Sequence, residues 1–320
     1  MAKYCVGIDL GGTYIKSGIL DEDRKPGRTL QIPTPLKEGR DAVVSAVIAA
    51  ARAAIDQCGR PAADAVGVGI GSPGPISISQ GLIITLPNIP GMGNVPLRDL
   101  VSRALGLPAV LENDANAAAL GEHVYGAGRG CRHLIYMTVS TGIGGGLIID
   151  GRLYRGATGV AGELGHMTIE PDGPLCGCGN HGCLEALASG TAIAVQGEEL
   201  VAQGGSALLA RLAQEQGEVT AETVSRAAEQ GDIACQGIIQ RAGYYLGVGL
   251  ASYVNIFNPE VIIIGGGLTK AGELLLAPAR AEMEARAMRE ALKAVQLRPA
   301  ELGDYDGVMG MVALLREGRP

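Results

Sequence analysis

Two short stretches, one in each half of the chain, share a pattern that leaves the surrounding backbone little freedom. Val6-Gly7-Ile8-Asp9-Leu10-Gly11-Gly12-Thr13 and Met137-Thr138-Val139-Ser140-Thr141-Gly142-Ile143-Gly144 each read as an apolar strand, a polar residue, a glycine turn and a returning apolar strand. A turn without Cβ atoms can expose consecutive backbone N–H groups to an anion. One such hairpin is a weak signal, because glycine serves any tight turn. Two of them, with Gly265-Gly266-Gly267 after the apolar run Val261–Ile264, point to a phosphate clamp and to an internal duplication. No Gly-Lys dipeptide occurs, which excludes a Walker loop. Gly11-Gly12-Thr13 leads into a strand and not a helix, which disfavours a Rossmann dinucleotide site.

The periodicity around these turns is that of an α/β protein. Strands are expected at 4–10, 14–20, 28–33, 66–71, 108–112, 133–139 and 143–149, with a charged turn at 21–25. Helices are expected at 41–57, 97–105 and 114–125, and residues 183–257 read as almost wholly helical. In the first helix Val43, Val44, Val47, Ile48, Ala51 and Ile55 recur on one face. A length of 320 residues suggests two domains. Aromatic residues make up only 3%, so the core must be Val, Ile, Leu and Ala.

Charge and cysteine usage narrow the function classes. A net charge of −7 offers no basic surface for nucleic acid, and no apolar run approaches a membrane span. The sequence enters a strand pattern directly from Met1, leaving no room for a signal peptide. Seven cysteines is an odd number, and three fall within residues 176–183, which suggests a reducing cytoplasm and a metal site. Cys176, Cys178 and Cys183 have three glycines between them, so a short loop can wrap one tetrahedral ion, zinc by its sulfur preference. A fourth ligand is needed, and His166 and His181 compete for it. A fully ligated ion of this kind is structural.

Glu112-Asn113-Asp114-Ala115-Asn116 stands where a strand meets an alanine-rich helix. Asn113 or Asp114 is a natural N-cap there. The same position, at the carboxyl end of a strand in an open α/β sheet, is also where ligands bind.

These motifs carry a family resemblance. Asp9 to Thr13, Ser140 to Gly144 and Gly265 to Gly267 resemble the first phosphate, second phosphate and adenosine motifs of the sugar kinase, actin and heat-shock chaperone superfamily. Cys-x-Cys-Gly-x-x-Gly-Cys-x-Glu from Cys176 to Glu185, with Glu163-x-x-His166, resembles the signatures of the bacterial ROK family of sugar kinases and regulators, on its ATP-dependent glucokinase side. The resemblance implies an α/β fold of two actin-like (ribonuclease H-like) domains around a central cleft. The smaller would hold 1–112 and the larger 113–305 with the zinc knuckle, and a C-terminal helix at 306–320 would pack back on the smaller.

It also implies ATP with Mg²⁺ as cofactor, with Asp9 facing the metal through water. Gly11, Gly12, Thr13, Thr141, Gly142 and Gly144 would surround the phosphates, and Gly265, Gly266 and Gly267 would lie against the adenosine. Lys16 either adds charge near the phosphates or is a surface lysine. His166 becomes the fourth zinc ligand, its other ring nitrogen pointing at the sugar. Asp114 becomes the general base, and Asn88, Asn113, Asp114, Glu163, His166 and Glu185 the sugar contacts. The implied reaction is phosphorylation of a hexose at its 6-hydroxyl, glucose first, with N-acetylmannosamine, allose and fructose as alternatives, in a cytoplasmic homodimer or homotetramer. A sugar-sensing member without catalysis is the rival reading. Repressors of the family carry an N-terminal helix-turn-helix, which a chain opening on the phosphate strand is not expected to have. Glucokinases of the family usually carry an aromatic residue after 87–91, where this chain has Met92.

Overall fold

The computed structural model describes residues 3–20, 29–86, 89 and 91–317; Asn88 and the expected charged turn at 21–25 lie outside them. β1 (Tyr4–Leu10) and β2 (Tyr14–Leu20) form the first hairpin, antiparallel with Asp9 opposite Lys16 and Leu10 opposite Ile15. β3 (Leu30–Pro33) extends it on the far side of β2. α1 (Arg40–Gln57) buries Val43, Val44, Val47, Ala51 and Ile55 of the expected stripe, with Ile48 half-buried at its edge, and returns the chain to β4 (Ala65–Ser72), parallel to β1. A two-stranded ribbon, β5 (Ile76–Ser77) with β6 (Leu82–Ile83), precedes α2 (Leu97–Leu105) and β7 (Ala109–Asn113). β7 lies parallel to β4, and α3 (Asp114–Tyr125) follows it without an intervening loop.

A second mixed sheet is built from β8 (Leu134–Val139), β9 (Ile143–Ile149), β10 (Arg152–Leu153), β11 (Val261–Gly265) and β12 (Gln296–Pro299). The first sheet has the order β3-β2-β1-β4-β7 and the second β10-β9-β8-β11-β12. Numbered within itself, each sheet runs third, second, first, fourth, fifth, so the repeated glycine hairpin is matched by a repeated topology.

The expected helical stretch resolves into α4 (Leu184–Ala188), α5 (Gly190–Ala202), α6 (Ala207–Gln216), α7 (Ala221–Glu229) and α8 (Ile233–Phe257). The breaks fall where Ser189, Ser206, Thr220 and Asp232 each accept a backbone N–H as N-caps. α9 (Glu273–Arg286) packs on α8 ahead of the short α10 (Arg289–Leu292), and α11 (Asp306–Glu317) ends the described chain. Among the described residues no helix is long and apolar enough to cross a membrane.

The chain divides into two compact units, 1–136 with 146–162 and 300–320, and 137–145 with 163–299. Inside the first, α11 lies on β1, β4 and α3. Glycine makes that approach possible. An added Cβ would stand 2.2 Å from the Val308 carbonyl oxygen at Gly7, 2.3 Å from that of Asp306 at Gly121, and 1.6 Å from that of Ala117 at Gly310. Backbone meets backbone, and a backbone cannot move aside as a side chain does. Gly310→Ala should therefore destabilise the protein by about 3 kcal/mol despite alanine's better helix propensity. Gly237→Ala in α8, where no heavy atom lies within 4 Å of the new Cβ, should instead stabilise by up to about 1 kcal/mol. Denaturant midpoints of the two variants measure the contrast.

Candidate active site

In the first unit the glycine turn after β1 closes with the Gly11 N–H donating to the Tyr14 carbonyl at 3.0 Å, and the Thr34 hydroxyl donates to the Gly11 carbonyl at 2.8 Å. Gly12 and Thr13 are exposed at its tip. Asp9, at the end of β1, is partly buried, and desolvation, then the charges of Asp114 and Asp306, push its carboxyl up to about 7 against the opposing pull of Lys16. The Lys16 ammonium lies 3.4 Å from Asp304, so it is a salt-bridged member of this acidic group and not a bare surface lysine. Asp306 opens α11, accepts from the Gly307 N–H at 2.7 Å and from the Tyr136 hydroxyl, and is raised to about 6 by burial. Sequence reasoning missed Asp306 and Tyr136. An acid in the first turn of a C-terminal helix was the only available signal.

At the β7–α3 junction Asn113 is the N-cap, its Oδ1 accepting from the Asn116 N–H at 3.0 Å, and Asp114 Oδ1 accepts from the Ala115 N–H at 2.8 Å. Glu112, which sequence reasoning passed over, anchors Asn113 and, through Asn116, the first turn of α3. Its fully buried carboxylate accepts from the Asn113 N–H at 3.0 Å and from Asn116 Nδ2 at 3.1 Å, and it pairs with Arg155 Nε at 2.7 Å. Removing one member of such a buried pair leaves the other charge uncompensated.

In the second unit Ser140, Thr141 and Gly267 line one pocket of ≈ 760 Å³ with Gly190, Thr191 and Lys270, so the second glycine turn and the adenosine motif come together. Gly266 has φ +91°, and its Cβ position would fall 2.4 Å from the Val139 carbonyl oxygen, so only glycine fits where β11 turns beside β8. Gly265 is buried at the end of β11. Gly142 and Gly144 are partly buried. A second pocket of ≈ 710 Å³ is lined by Thr141, Gly142, Cys176, Glu185, Arg241 and Tyr245 among others.

The knuckle gathers His166, Cys176, Cys178 and Cys183, whose ligand atoms all lie within 4.8 Å of one another. His181 is turned away, its Nδ1 3.1 Å from the Gly173 carbonyl, so of the two histidines it is His166 that stands with the three thiols. Tetrahedral ligation with Zn–S of about 2.3 Å and Zn–N of about 2.0–2.1 Å requires S···S near about 3.8 Å and S···N near about 3.6 Å. The structure has Cys178 Sγ 3.7 Å from Cys183 Sγ, and Cys176 Sγ 3.6 Å from His166 Nδ1. Burial pushes the Cys183 thiol up to about 12, whereas the Asn180 N–H lowers exposed Cys178. Three cysteine sulfurs and one imidazole nitrogen at this spacing form a donor set suited to a tetrahedral cation. The other His166 nitrogen, Nε2, is 3.9 Å from Glu163, whose carboxylate is exposed.

The acidic group of the first unit has a measurable signature. Asp9 is raised on folding, so wild-type protein loses stability as pH climbs from about 4 through about 7, and the loss is complete above that. Asp9→Asn removes it. Without metal or nucleotide the variant should exceed wild type by about 1–3 kcal/mol at pH 8 and match it near pH 4, read by thermal denaturation at both pH values.

The sequence pattern of the ROK family matches residues 5–318. A glucokinase from Thermotoga maritima is 38% identical over 312 residues, 98% of this chain and 97% of the relative. A xylose repressor from Bacillus spizizenii is 33% identical over 99% of this chain and 78% of its own length. Among solved structures, a ROK family glucokinase from Streptomyces griseus in complex with glucose and AMPPNP superposes with a TM-score of 0.84 at 37% identity, over 98% of this chain and 100% of that one. Matched almost end to end in sequence and in fold, this chain belongs to the ROK family.

Proposed function

We propose that this protein is an ATP-dependent glucokinase, transferring the γ-phosphoryl group of ATP to the 6-hydroxyl of glucose. The observation that carries the reading is the near full-length likeness to a ROK glucokinase that holds glucose and AMPPNP. Phosphoryl transfer asks a protein for positioning and for charge stabilisation more than for covalent chemistry. Asp114 is the base. Set at the first turn of α3 and oriented by the Ala115 N–H, it aligns the attacking hydroxyl and takes its proton. Glu112 and Arg155 position Asp114 and Asn113 through the strand end.

Asn113, Glu163, His166 Nε2 and Glu185 supply hydrogen-bond partners for the sugar hydroxyls, and Asn88 is assigned to the same role by family resemblance. Gly11, Gly12, Thr13, Thr141, Gly142 and Gly144 face the phosphates, and Gly265–Gly267 the adenosine. Asp9 would hold the Mg²⁺ of ATP through water, and that ion supplies neutralisation of the phosphate charge. The crowding of Asp9 with Asp114 and Asp306 supports a cation there, since oxygen ligands of this kind suit Mg²⁺. Cys176, Cys178, Cys183 and His166 Nδ1 would hold a structural zinc, supported by the matching interatomic distances. The two sheets of like order support reading the chain as two actin-like domains, the zinc in the second. A cytoplasmic setting and the lack of a nucleic-acid partner fit seven free cysteines and a charge of −7, and a homodimer or homotetramer is assigned by family resemblance.

The xylose repressors at 33% identity favour one second reading, a sugar sensor. ADP release with glucose, N-acetylmannosamine, allose and fructose separates the two. Turnover highest on glucose is expected, and none on any sugar would leave the sensor. Asp114→Asn should lower kcat by about 10²–10⁴ while glucose affinity, by calorimetry, changes far less. Lost binding with unchanged turnover would make Asp114 a binding residue only.

The metal has its own test. Elemental analysis of purified protein should find about one zinc per chain, and Cys178→Ala should lose it together with thermal stability.

A further inference from the structure

Glu185 stands two residues beyond Cys183, the N-cap of α4, and its carboxylate does not simply face a sugar. Oε2 accepts from the Ile143 N–H at 2.8 Å, in the middle of the second glycine turn. Oε1 lies 3.8 Å from Cys176 Sγ. One side chain therefore spans the interval between the metal knuckle and the turn. At Gly142 a Cβ would stand 2.4 Å from Glu185 Oε2, so glycine is needed there to admit the carboxylate as well as to bare the backbone. The connection continues past α4. The Gly190 N–H donates to the Ser140 carbonyl at 2.7 Å, and Thr191 donates to the Thr141 carbonyl through its N–H at 3.1 Å and its hydroxyl at 2.9 Å. On the other flank the Leu184 N–H donates to Met167, next to His166.

We infer that Glu185 is a positioning residue for the nucleotide: its bond to Ile143 fixes the 140–144 turn against the knuckle and presets the turn for the phosphates before any sugar arrives. A hydrogen bond from a backbone N–H to a carboxylate is among the stronger kinds, which suits it to ordering a glycine turn with little intrinsic rigidity. The N–H of Ile143 is thus committed to the protein, and the phosphates are left to its neighbours in the turn. The knuckle, which has no phosphate contact of its own, acts on nucleotide binding through α4. The inference rests on the kinase reading.

Its test is AMPPNP affinity measured without sugar, in two paired comparisons that separate reach from charge. Wild type against Glu185→Asp keeps the charge and shortens the side chain beyond reach of Ile143. Glu185→Gln against Glu185→Ala removes the charge from both and keeps an acceptor in only one. In each pair the member without the bond should bind AMPPNP about 5–20-fold more weakly, and hydrogen exchange at the Ile143 amide should quicken about tenfold. Equal affinities within both pairs would overturn the inference, even if glucose binding fell, because Glu185 would then serve the sugar alone. Either pair suffices should one variant fail to fold. Wild-type protein that bound no AMPPNP would overturn the kinase reading itself, and this inference with it.

Discussion

Helix α11 meets β1 and α3 with no side chain between the backbones, and the acidic group at Asp9 depends on that contact. Gly7, Gly121 and Gly310 let it form, and Gly307 brings the first turn of α11 to within about van der Waals distance of Asp9, a Cβ there lying 3.1 Å from Asp9 Cγ. The approach places Asp306 beside Asp9, partly desolvates both and raises both carboxyls. Carboxylates crowded in this way are poised to accept a divalent cation. The electrostatics of the site therefore follow from a packing constraint in which glycine is the decisive residue.

Buried and half-buried carboxylates do the fine positioning. Glu122 on α3 is fully buried and accepts from the Leu302 N–H and the Ala127 N–H, each at 2.8 Å, tying the segment that leads into α11 back to α3. Glu112 performs the corresponding task at the other end of α3, joining the strand end, Asn116 and Arg155. Glu185 does so in the second unit, on the glycine turn. In each case a carboxylate accepts a backbone N–H at the end or turn of an element. Such bonds are strong and geometrically restrictive. The residues that shape the site are consequently acidic, beside those that would act on substrate.

Much of this was legible in the chain. The hairpin at Asp9–Thr13, the helix at 114–125 and the Cys176–Cys183 knuckle are local objects, in which turn chemistry, periodicity and ligand spacing suffice. The ribbon of β5 and β6, the short β10 and β12, and helix α9 went unread. Two- to four-residue strands carry no period, and α9 contains Pro278, which reads as a breaker. Glu112, Glu122 and Asp306 went unread for another reason. A carboxylate gives no sign in one dimension of whether it will face water or a backbone N–H 180 residues away, as Glu122 does with Leu302.

The sequence by itself determined what depends on near neighbours: an α/β chain with two glycine turns, a tight knuckle of three cysteines and a strand-to-helix junction carrying Asn113 and Asp114. Tertiary structure alone decided which histidine stands beside the knuckle, since sequence leaves His166 and His181 open and only folding turns Nδ1 of one toward the Cys176 sulfur. It alone decided that Lys16 pairs with Asp304, that Asp306 charges the surroundings of Asp9, and that Glu185 grips the turn at Ile143. Local pattern follows from bonded geometry and short-range sterics. Charge, burial and partner choice follow from groups distant in the chain that meet only once the core has closed.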